Sequence, residues 1–436
     1  MGRAGRTKWY ALAAVPGLAV TLIAACTGDD DVFRAAPLYA YDGATNDLPR
    51  EPVTPPEAGA PALSCGDAAG APARALLVNG ERPSELVAMN LDSFAVDGRL
   101  PLDGGLGITS VTGFDPWLLD QENDLVTRLD AREPWKPVAE WSVRGDDAPA
   151  GDTRPARPVS VVQVSCSKAY VIRANRNRIA IIDPSQTTGA PTGWVDLTPF
   201  RVSGDTDTLD LSAAVWVPSK RKLFVLAGNV DRTQVITGAG VRCREVLRPA
   251  VFGIDVRTDT VVSLAGTGPG GAIELEGYDP PAGHSLIYDA PLDRLLTLSR
   301  GCNIGLPDGG ASLTARRRVE QVDLATGAVK LALSLDNRPA PTGFALVDGD
   351  HAAVVFGERG YLWNPRETSL GDPIDGGAHA VANDGRGGFV GSRRKDQSLE
   401  VFTLPIGDAG AARPVATNPF TSLGGFAASI EAWPPR

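Results

Sequence analysis

The chain of 436 residues carries 42 basic and 52 acidic side chains, and its mean hydropathy is −0.06. The formal net charge of −10 argues against nucleic acid as a partner, because a nucleic-acid binder needs a basic face that displaces counterions. With 49 glycines and 35 prolines, the composition favours short strands and many turns, in one closed β structure or in two domains.

The first 25 residues have the pattern of a bacterial export signal. Arg3, Arg6 and Lys8 precede an apolar run that ends in Ala25 and Cys26. The ending Ile-Ala-Ala-Cys resembles the lipobox of bacterial lipoproteins, in which small residues precede a cysteine whose thiol takes the lipid. The resemblance implies a signal peptide over residues 1–25 and lipidation, palmitate included, at Cys26. An ordinary signal peptide and an uncleaved anchor are the alternatives.

Removal of the signal takes away three basic residues and leaves 39 of them against 52 acidic ones, a net charge of −13. Thr27 follows the cysteine, in place of the aspartate that resembles an inner-membrane retention signal. We therefore expect a protein of the bacterial cell envelope that contacts the membrane through its lipid anchor, at the outer membrane.

Residues 26–74 are predicted to form a disordered tether. The segment has three aspartates at 29–31 and runs PREPVTPPEAGAPALS at 49–64. Such proline-rich, alanine-rich and acidic sequence offers little to pack and forms semi-extended spacers. The folded body is then residues 75–436.

The folded body repeats one pattern. In each unit a β-rich run ends in an Asp or Asn, whose side chain bonds the backbone two residues later in a tight turn. The outer units recur at about 40 residues, the length of a four-stranded propeller blade. The aligned positions are Asn90, Asp130, Asp183, Asp255, Asp323, Asn364 and Thr403. They predict an all-β fold, a seven-bladed β-propeller; six or eight blades and a pair of β-sandwiches are the alternatives.

Three units carry a more specific pattern. Residues 169–183 read AYVIRANRNRIAIID, and similar segments are KLFVLAGN…VFGIDVRTDTVV at 222–262 and RLLTLS…VEQVDLATGAVK at 294–330. These segments resemble the YVTN-type propeller repeat, a likeness that implies a fold more than an activity.

The two ends of the folded body complement each other. The first unit begins at Ala75 with the pattern of a second strand, and residues 424–436 (GGFAASIEAWPPR) resemble the inner strands of other units. We therefore predict that residues 426–430 form the inner strand of the first blade and close the ring, which leaves no open edge there. A frayed C-terminal tail is the alternative.

Four cysteines remain besides Cys26, and an even number in an exported protein predicts two disulfides, with three connectivities to choose from. No pair has the CxxC spacing of zinc or thioredoxin-like sites. Cys243 and Cys302 lie in equivalent loops of neighbouring units, so we pair them, which leaves Cys65 with Cys166. Buried free thiols are the alternative.

The chain has three histidines. His284 and His379 occupy the same place in two units, just before the inner strand, and would border the channel mouth. Two imidazoles there would suit a metal or an anion, with the identity of a metal left open. The alternative is that each histidine caps a strand end. His351 is predicted on the opposite-face turn.

Arginines recur in the turns between second and third strands, which share one face of a propeller. A ring of guanidinium groups suits carboxylate or phosphate groups and predicts an anionic envelope glycan or a lipid head group as ligand. Pairing of these arginines with acids such as Glu245 and Glu320 is the alternative. The predicted binding residues of this face are Arg173, Arg176, Arg178, Arg300, Arg393 and Arg394.

The sequence contains neither a GxSxG nucleophile elbow nor a P-loop. Residues 322–331 (VDLATGAVKL) keep the Asp-x-x-Thr-Gly of the quinoprotein repeat but lack its tryptophan, so we expect no cofactor. We expect a non-enzymatic binding or scaffold module for an anionic glycan or a protein partner. A metal-dependent hydrolase of the lactonase type and a subunit of an outer-membrane assembly or export complex are the alternatives.

Overall fold

The structure is a computed structural model that describes residues 65–66, 70–79, 84–102, 107–111, 114–148, 152–201, 208–230, 235–236, 240–243, 248–305, 311–312, 316–395, 398–407, 410–420 and 427–433. The predicted signal peptide, Cys26 and residues 27–64 lie outside that part. No helix of the described residues is both long and apolar enough to cross a membrane.

The first half of the described chain forms three blades and begins a fourth. Blade I opens with β1 (Arg74–Asn79), β2 (Ser84–Asn90) and β3 (Val96–Leu102). Blade II is β4 (Gly107–Val111), β5 (Pro116–Asp120), β6 (Leu125–Leu129) and β7 (Pro137–Ser142). Blade III is β8 (Pro158–Ser165), β9 (Lys168–Arg173), β10 (Arg178–Ile182) and β12 (Gly193–Asp196), while β11 (Thr188–Gly189) pairs with β7. Blade IV starts with β13 (Leu211–Val217) and β14 (Lys222–Ala227).

A small side sheet interrupts blades IV and V. Its strands are β15 (Val235–Ile236), β16 (Gly240–Cys243) and, later in the chain, β22 (Asn303–Gly305) and β23 (Ala311–Ser312). Blade IV continues with β17 (Ala250–Asp255), β18 (Thr260–Val262) and β19 (Ile273–Glu274), the last paired with β17. Blade V is β20 (Leu286–Asp289), β21 (Arg294–Ser299), β24 (Arg318–Asp323) and β25 (Val329–Ser334), with β22 (Asn303–Gly305) and β23 (Ala311–Ser312) inserted after β21.

Two further blades and one last strand complete the ring. Blade VI is β26 (Gly343–Asp348), β27 (His351–Phe356) and β28 (Arg359–Trp363), and blade VII is β29 (Ala380–Asn383), β30 (Gly388–Lys395), β31 (Ser398–Pro405) and β32 (Arg413–Thr417). The last strand is β33 (Ala427–Trp433). Single-turn 3-10 helices span Thr198–Phe200, Pro218–Lys220, Pro269–Gly271 and Ala290–Leu292.

The C-terminal strand closes the propeller. β33 pairs antiparallel with β1, with Leu77 opposite Ile430 and Leu76 opposite Glu431, so the order across blade I is β33-β1-β2-β3. The innermost strands then follow one another around the channel as β33, β4, β8, β13, β20, β26 and β29, and β29 again lies beside β33. The predicted seven-bladed propeller and its closure are confirmed, with the closing strand running to Trp433 rather than ending at residue 430.

Apolar side chains fill the space between successive blades. At the seam between the first and last blades, Leu77 and Val87 of blade I pack with Val390 and Val401 of blade VII and with Ile430 of β33. Each of these five is at most 2% exposed. Removal of apolar surface from water contributes roughly 25 cal/mol per Å², so hydrophobic burial between the two sheets holds this seam together.

The predicted turn residues explain where the third strand of a blade ends. Six of them accept a backbone N–H from the residue two positions later, at 2.8 to 3.0 Å: Asn90, Asp130, Asp183, Asp255, Asp323 and Asn364. The carboxamide or carboxylate thus replaces a backbone acceptor and turns the chain into the fourth strand. The seventh position is different, because Thr403 lies inside β31, which continues to Pro405.

Of the two predicted disulfides, the structure describes both cysteines of one and only one cysteine of the other. Cys65 is bonded to Cys166, with Cα atoms 5.4 Å apart, so that pairing is confirmed. Cys302 is also disulfide-bonded. The side chain of Cys243 lies outside the described residues, but β16 and β22 pair in parallel with Cys243 opposite Ile304. The register supports Cys243 as the partner of Cys302, which stays a prediction.

The connections define two faces of the propeller. Links between the first and second and between the third and fourth strands of a blade form one face, which we call the turn face. Links between the second and third strands, and between blades, form the other, the loop face. Cys166, in the β8–β9 link, is on the turn face, whereas the side sheet grows from the loop face.

Candidate functional site

Arg173 ends β9 at the loop face and is fully buried. Its guanidinium makes two parallel hydrogen bonds to the carboxylate of Asp147, at 2.9 and 2.7 Å. It also donates to the carbonyl oxygens of Val143 and Arg178 and stacks 4.4 Å from the ring centroid of Trp194. Every donor of this guanidinium therefore serves the fold, and the pairing holds the link between blades II and III.

Arg176 is bound in the same way and is 2% exposed. Its two terminal nitrogens donate to the carbonyl oxygens of Asn175 and Arg154, each at 2.8 Å. Asp152 lies 3.6 Å from Nη1. Hydrogen bonds and carboxylates of the chain itself thus surround the group, as they surround Arg173.

The remaining predicted arginines vary in exposure. Arg393 is 7% exposed, and its Nε donates to Glu400 at 2.5 Å. Arg300 donates from Nη2 to Asp279 at 3.1 Å. Arg178 is 36% exposed and lies 3.8 Å from Asp146, while Arg394 is exposed. The six arginines do share the loop face, but most of their charge is balanced by acids of the chain.

The sequence offered Glu320 and Glu245 as acids that could pair with these arginines. Glu320 instead accepts the backbone N–H groups of Glu276 and Gly277, each at 2.9 Å, and is 1% exposed. Burial raises the pKa of this carboxyl, against the lowering effect of those two hydrogen bonds. Glu245 lies outside the described residues.

The histidines also have partners in the chain. The backbone N–H of His379 donates to the carbonyl of Ser392 at 2.7 Å, and burial lowers the pKa of its imidazole. His351 lies on the turn face, as predicted, with Nδ1 2.8 Å from Asp348. Within the described ranges, no three His, Cys, Asp or Glu side chains come close enough together to hold a metal ion.

His284 reaches the channel on a segment that runs along the inner strands, residues Tyr278–Ser285, which we call the plug. Gly283 donates its N–H to the carbonyl of Ser212 in blade IV, at 2.7 Å. The carbonyl of Ser285 accepts the N–H of Leu298 in blade V, at 2.9 Å. Gly283 has φ of +88°, a conformation that side chains other than glycine rarely adopt. The plug therefore delivers His284 to the channel rather than to the solvent.

The ionisable partner of His284 is Glu431, on the closing strand. His284 Nδ1 lies 3.3 Å from Glu431 Oε1, and their side chains are 37% and 21% exposed. The propeller encloses both groups, so this exposure faces the channel. Burial raises the pKa of Glu431 to about 8 and lowers the pKa of His284 below its ordinary value. The pair is therefore uncharged at neutral pH.

Sequence reasoning selected His284 but not Glu431. The available signal is one acidic residue within the otherwise uncharged closing strand AASIEAW. A charged side chain on an inner strand has no route to bulk solvent except the channel, which marks the position as unusual. His284 and Glu431 are the candidate channel site of this protein.

Comparisons with known proteins support the fold alone. No protein-family model matches the chain, and no curated protein matches it. Among solved structures, the β-propeller domain of Cps50 (Swd1) from Myceliophteria thermophila is 13% identical, with a TM-score of 0.51 over 75% of this chain and 92% of that one. A functionally unknown protein from Desulfotomaculum acetoxidans is 12% identical, with a TM-score of 0.51 over 83% and 99%.

A putative 6-phosphogluconolactonase from Bacteroides uniformis is 11% identical, with a TM-score of 0.47 over 79% of this chain and 98% of that one. At this distance the likeness carries no information on activity. The chain is a seven-bladed β-propeller. The YVTN-type repeat and the lipoprotein signal stay predictions from the sequence.

Proposed function

We propose that the protein is a lipid-anchored, non-enzymatic binding module of the bacterial cell envelope that presents its loop face to a protein partner. The observation that carries the proposal is the bond between Cys65 and Cys166 on the turn face. It fixes the place where the chain enters the propeller, 39 residues after the predicted lipidation site Cys26. The loop face lies at the opposite end of the blades from this attachment point.

The loop face also has the structure of a contact platform. Its insertions from blades IV and V join in the side sheet, where β16 and β22 pair in parallel across the two blades. Backbone pairing between two separate insertions holds them in one position, and preorganised loops bind partners at a lower entropic cost. This supports the proposed contact face.

A protein partner agrees with the charges better than an anionic glycan does. Arg173, Arg176 and Arg393 are already paired with Asp147, Asp152 and Glu400. A polyanion would have to displace these buried pairs, which costs several kcal/mol for each charge left unpaired, on the order of 3–5. A hydrolase of the lactonase type needs a metal-ligand group that the described residues do not supply.

The anchor is tested by Cys26→Ser. We expect the variant to leave the membrane fraction, because the serine hydroxyl cannot take the thioether-linked lipid and residues 26–74 offer nothing else to hold it there. The measurement is fractionation of cells with mass analysis of the N-terminus, and Thr27→Ser is the matched control that should stay in membranes. Membrane-bound, unlipidated Cys26→Ser protein would refute the anchor.

The contact face is tested by photo-crosslinking in cells. We expect a photo-reactive residue at Arg359 or Arg394, both exposed on the loop face, to form one discrete protein adduct. The matched positions Arg257 and Leu292, exposed on the turn face, should form none. Adducts from the turn face alone, or from neither face, would contradict the proposal. An outer-membrane assembly or export component as the adduct would favour the complex-subunit alternative.

A further inference from the structure

The seven inner strands that the structure describes contain few ionisable residues. The sequences of the inner strands β4, β8, β13 and β29 contain none. β20 and β26 contain Tyr288, Asp289 and Asp348, all at their turn-face ends, and the two aspartates lie 2.8 Å from Arg294 and from His351 respectively. An acid and a base that lie 3.3 Å from each other inside this ring therefore stand out.

His284 and Glu431 form such a pair across the channel. They belong to blades V and I, whose inner strands are not neighbours in the ring. Desolvation disfavours the charged form of each group, so the arrangement is least costly when the pair as a whole is neutral. Burial is the cause of both pKa shifts, and the geometric link between the two groups is the 3.3 Å separation of His284 Nδ1 and Glu431 Oε1.

The two groups also belong to the two segments that finish the channel. His284 is part of the plug, and Glu431 is part of the strand that closes the ring. We propose that His284 and Glu431 share one proton and so form a latch between the plug and the closing strand, which weakens when solvent removes that proton at mildly alkaline pH. The step is a proton transfer from the pair to water or hydroxide, and it leaves one negative charge in an apolar channel.

The direction of the pH dependence follows from the two pKa shifts. In the unfolded chain Glu431 ionises near 4.5 and His284 near 6.5, whereas in the folded chain Glu431 keeps its proton up to about pH 8. Between pH 6.5 and 8 the folded pair therefore holds one proton more than the unfolded chain, and stability falls as pH rises. Just below pH 6.5 the unfolded chain also holds one proton on these two residues, on His284. The folded and unfolded chains then hold equal numbers of protons, and the pair makes no contribution to the pH dependence of stability.

The test is the pH dependence of urea unfolding of the full-length protein. We expect the unfolding equilibrium constant to rise roughly tenfold per pH unit between pH 6.5 and 8, about 30-fold in total. Glu431→Gln should abolish this rise, because the amide fills the same space without a titrating proton. His284→Asn should extend the rise downward to pH 4.5, because the compensating histidine is gone.

Asp289→Asn is the matched control on another inner strand. That carboxylate is bonded to Arg294, so its loss should lower stability and leave the change between pH 6.5 and 8 as it is in the unaltered protein. The same rise with pH in Glu431→Gln as in the unaltered protein would overturn the latch. If the unfolding equilibrium constant of His284→Asn still began to rise only at pH 6.5, the sharing of the proton would be overturned.

Discussion

Deletion of residues 424–436 is expected to unfold the propeller rather than to trim it. The deletion removes β33, whose Ile430 and Trp433 are each 2% exposed. Loss of each buried isoleucine or tryptophan side chain costs about 2–5 kcal/mol, and the free energy of unfolding of a whole domain is only about 5–15 kcal/mol. The inner edge of β1 would also lose its hydrogen-bonded neighbour. The measurement is thermal unfolding of the truncated and full-length proteins side by side.

Two variants separate the closing strand from the tail. Deletion of residues 434–436, which follow the end of β33, should leave the unfolding midpoint unchanged. Trp433→Phe should lower the unfolding midpoint less than Trp433→Ala does, because phenylalanine keeps most of the packing with Leu76 and Leu118. Both variants lose the hydrogen bond from the indole N–H to the carbonyl of Ala131. An unchanged midpoint after removal of residues 424–436 would show that the ring does not depend on this strand.

The blade count was predictable because its signals are local. Each turn residue such as Asp183 or Asp323 bonds a backbone N–H two positions away, so its role can be inferred from a few neighbouring residues. Closure was predictable for a related reason, since a missing inner strand at Ala75 and a surplus one near the C-terminus complement each other. The prediction of a turn at Thr403 was wrong. Thr403 has neither an amide nor a carboxylate side chain, and β31 continues past it to Pro405.

The state of the arginines could not be predicted in the same way. Which acid meets Arg173 depends on the path of the link between blades II and III, which brings Asp147 to it from 26 residues upstream. Arg173 and Arg176 do pair with acids of the chain, and these acids are Asp147 and Asp152. Charge on a turn is visible in a sequence, whereas its compensation depends on tertiary structure.

The channel pair depends on contacts still further apart. His284 and Glu431 are separated by 147 positions and by several blades, and they meet only because the ring closes and the plug enters the channel. Nothing in the spacing of either residue indicates the other. The sequence could show that Glu431 is the one acid of an apolar strand and that His284 comes just before another strand, but not that burial shifts the pKa values of both.

Replacement of Cys65 and Cys166 together by serine is expected to lower the free energy of unfolding by about 3–5 kcal/mol. The bond spans 101 positions and encloses the three strands β1–β3 of blade I and all of blade II. A cross-link over a loop of about 100 residues removes much of the conformational entropy of the unfolded chain. The variant also frees Gly66, whose N–H donates to Asp115 at 2.9 Å in the folded chain.

The double variant is a sharper test than a reducing agent, because reduction would also open the bond of Cys302. Its unfolding in urea is compared with that of Cys26→Ser, which keeps the Cys65–Cys166 bond and should unfold like the unaltered protein. Equal midpoints for all three proteins would show that the bond contributes nothing.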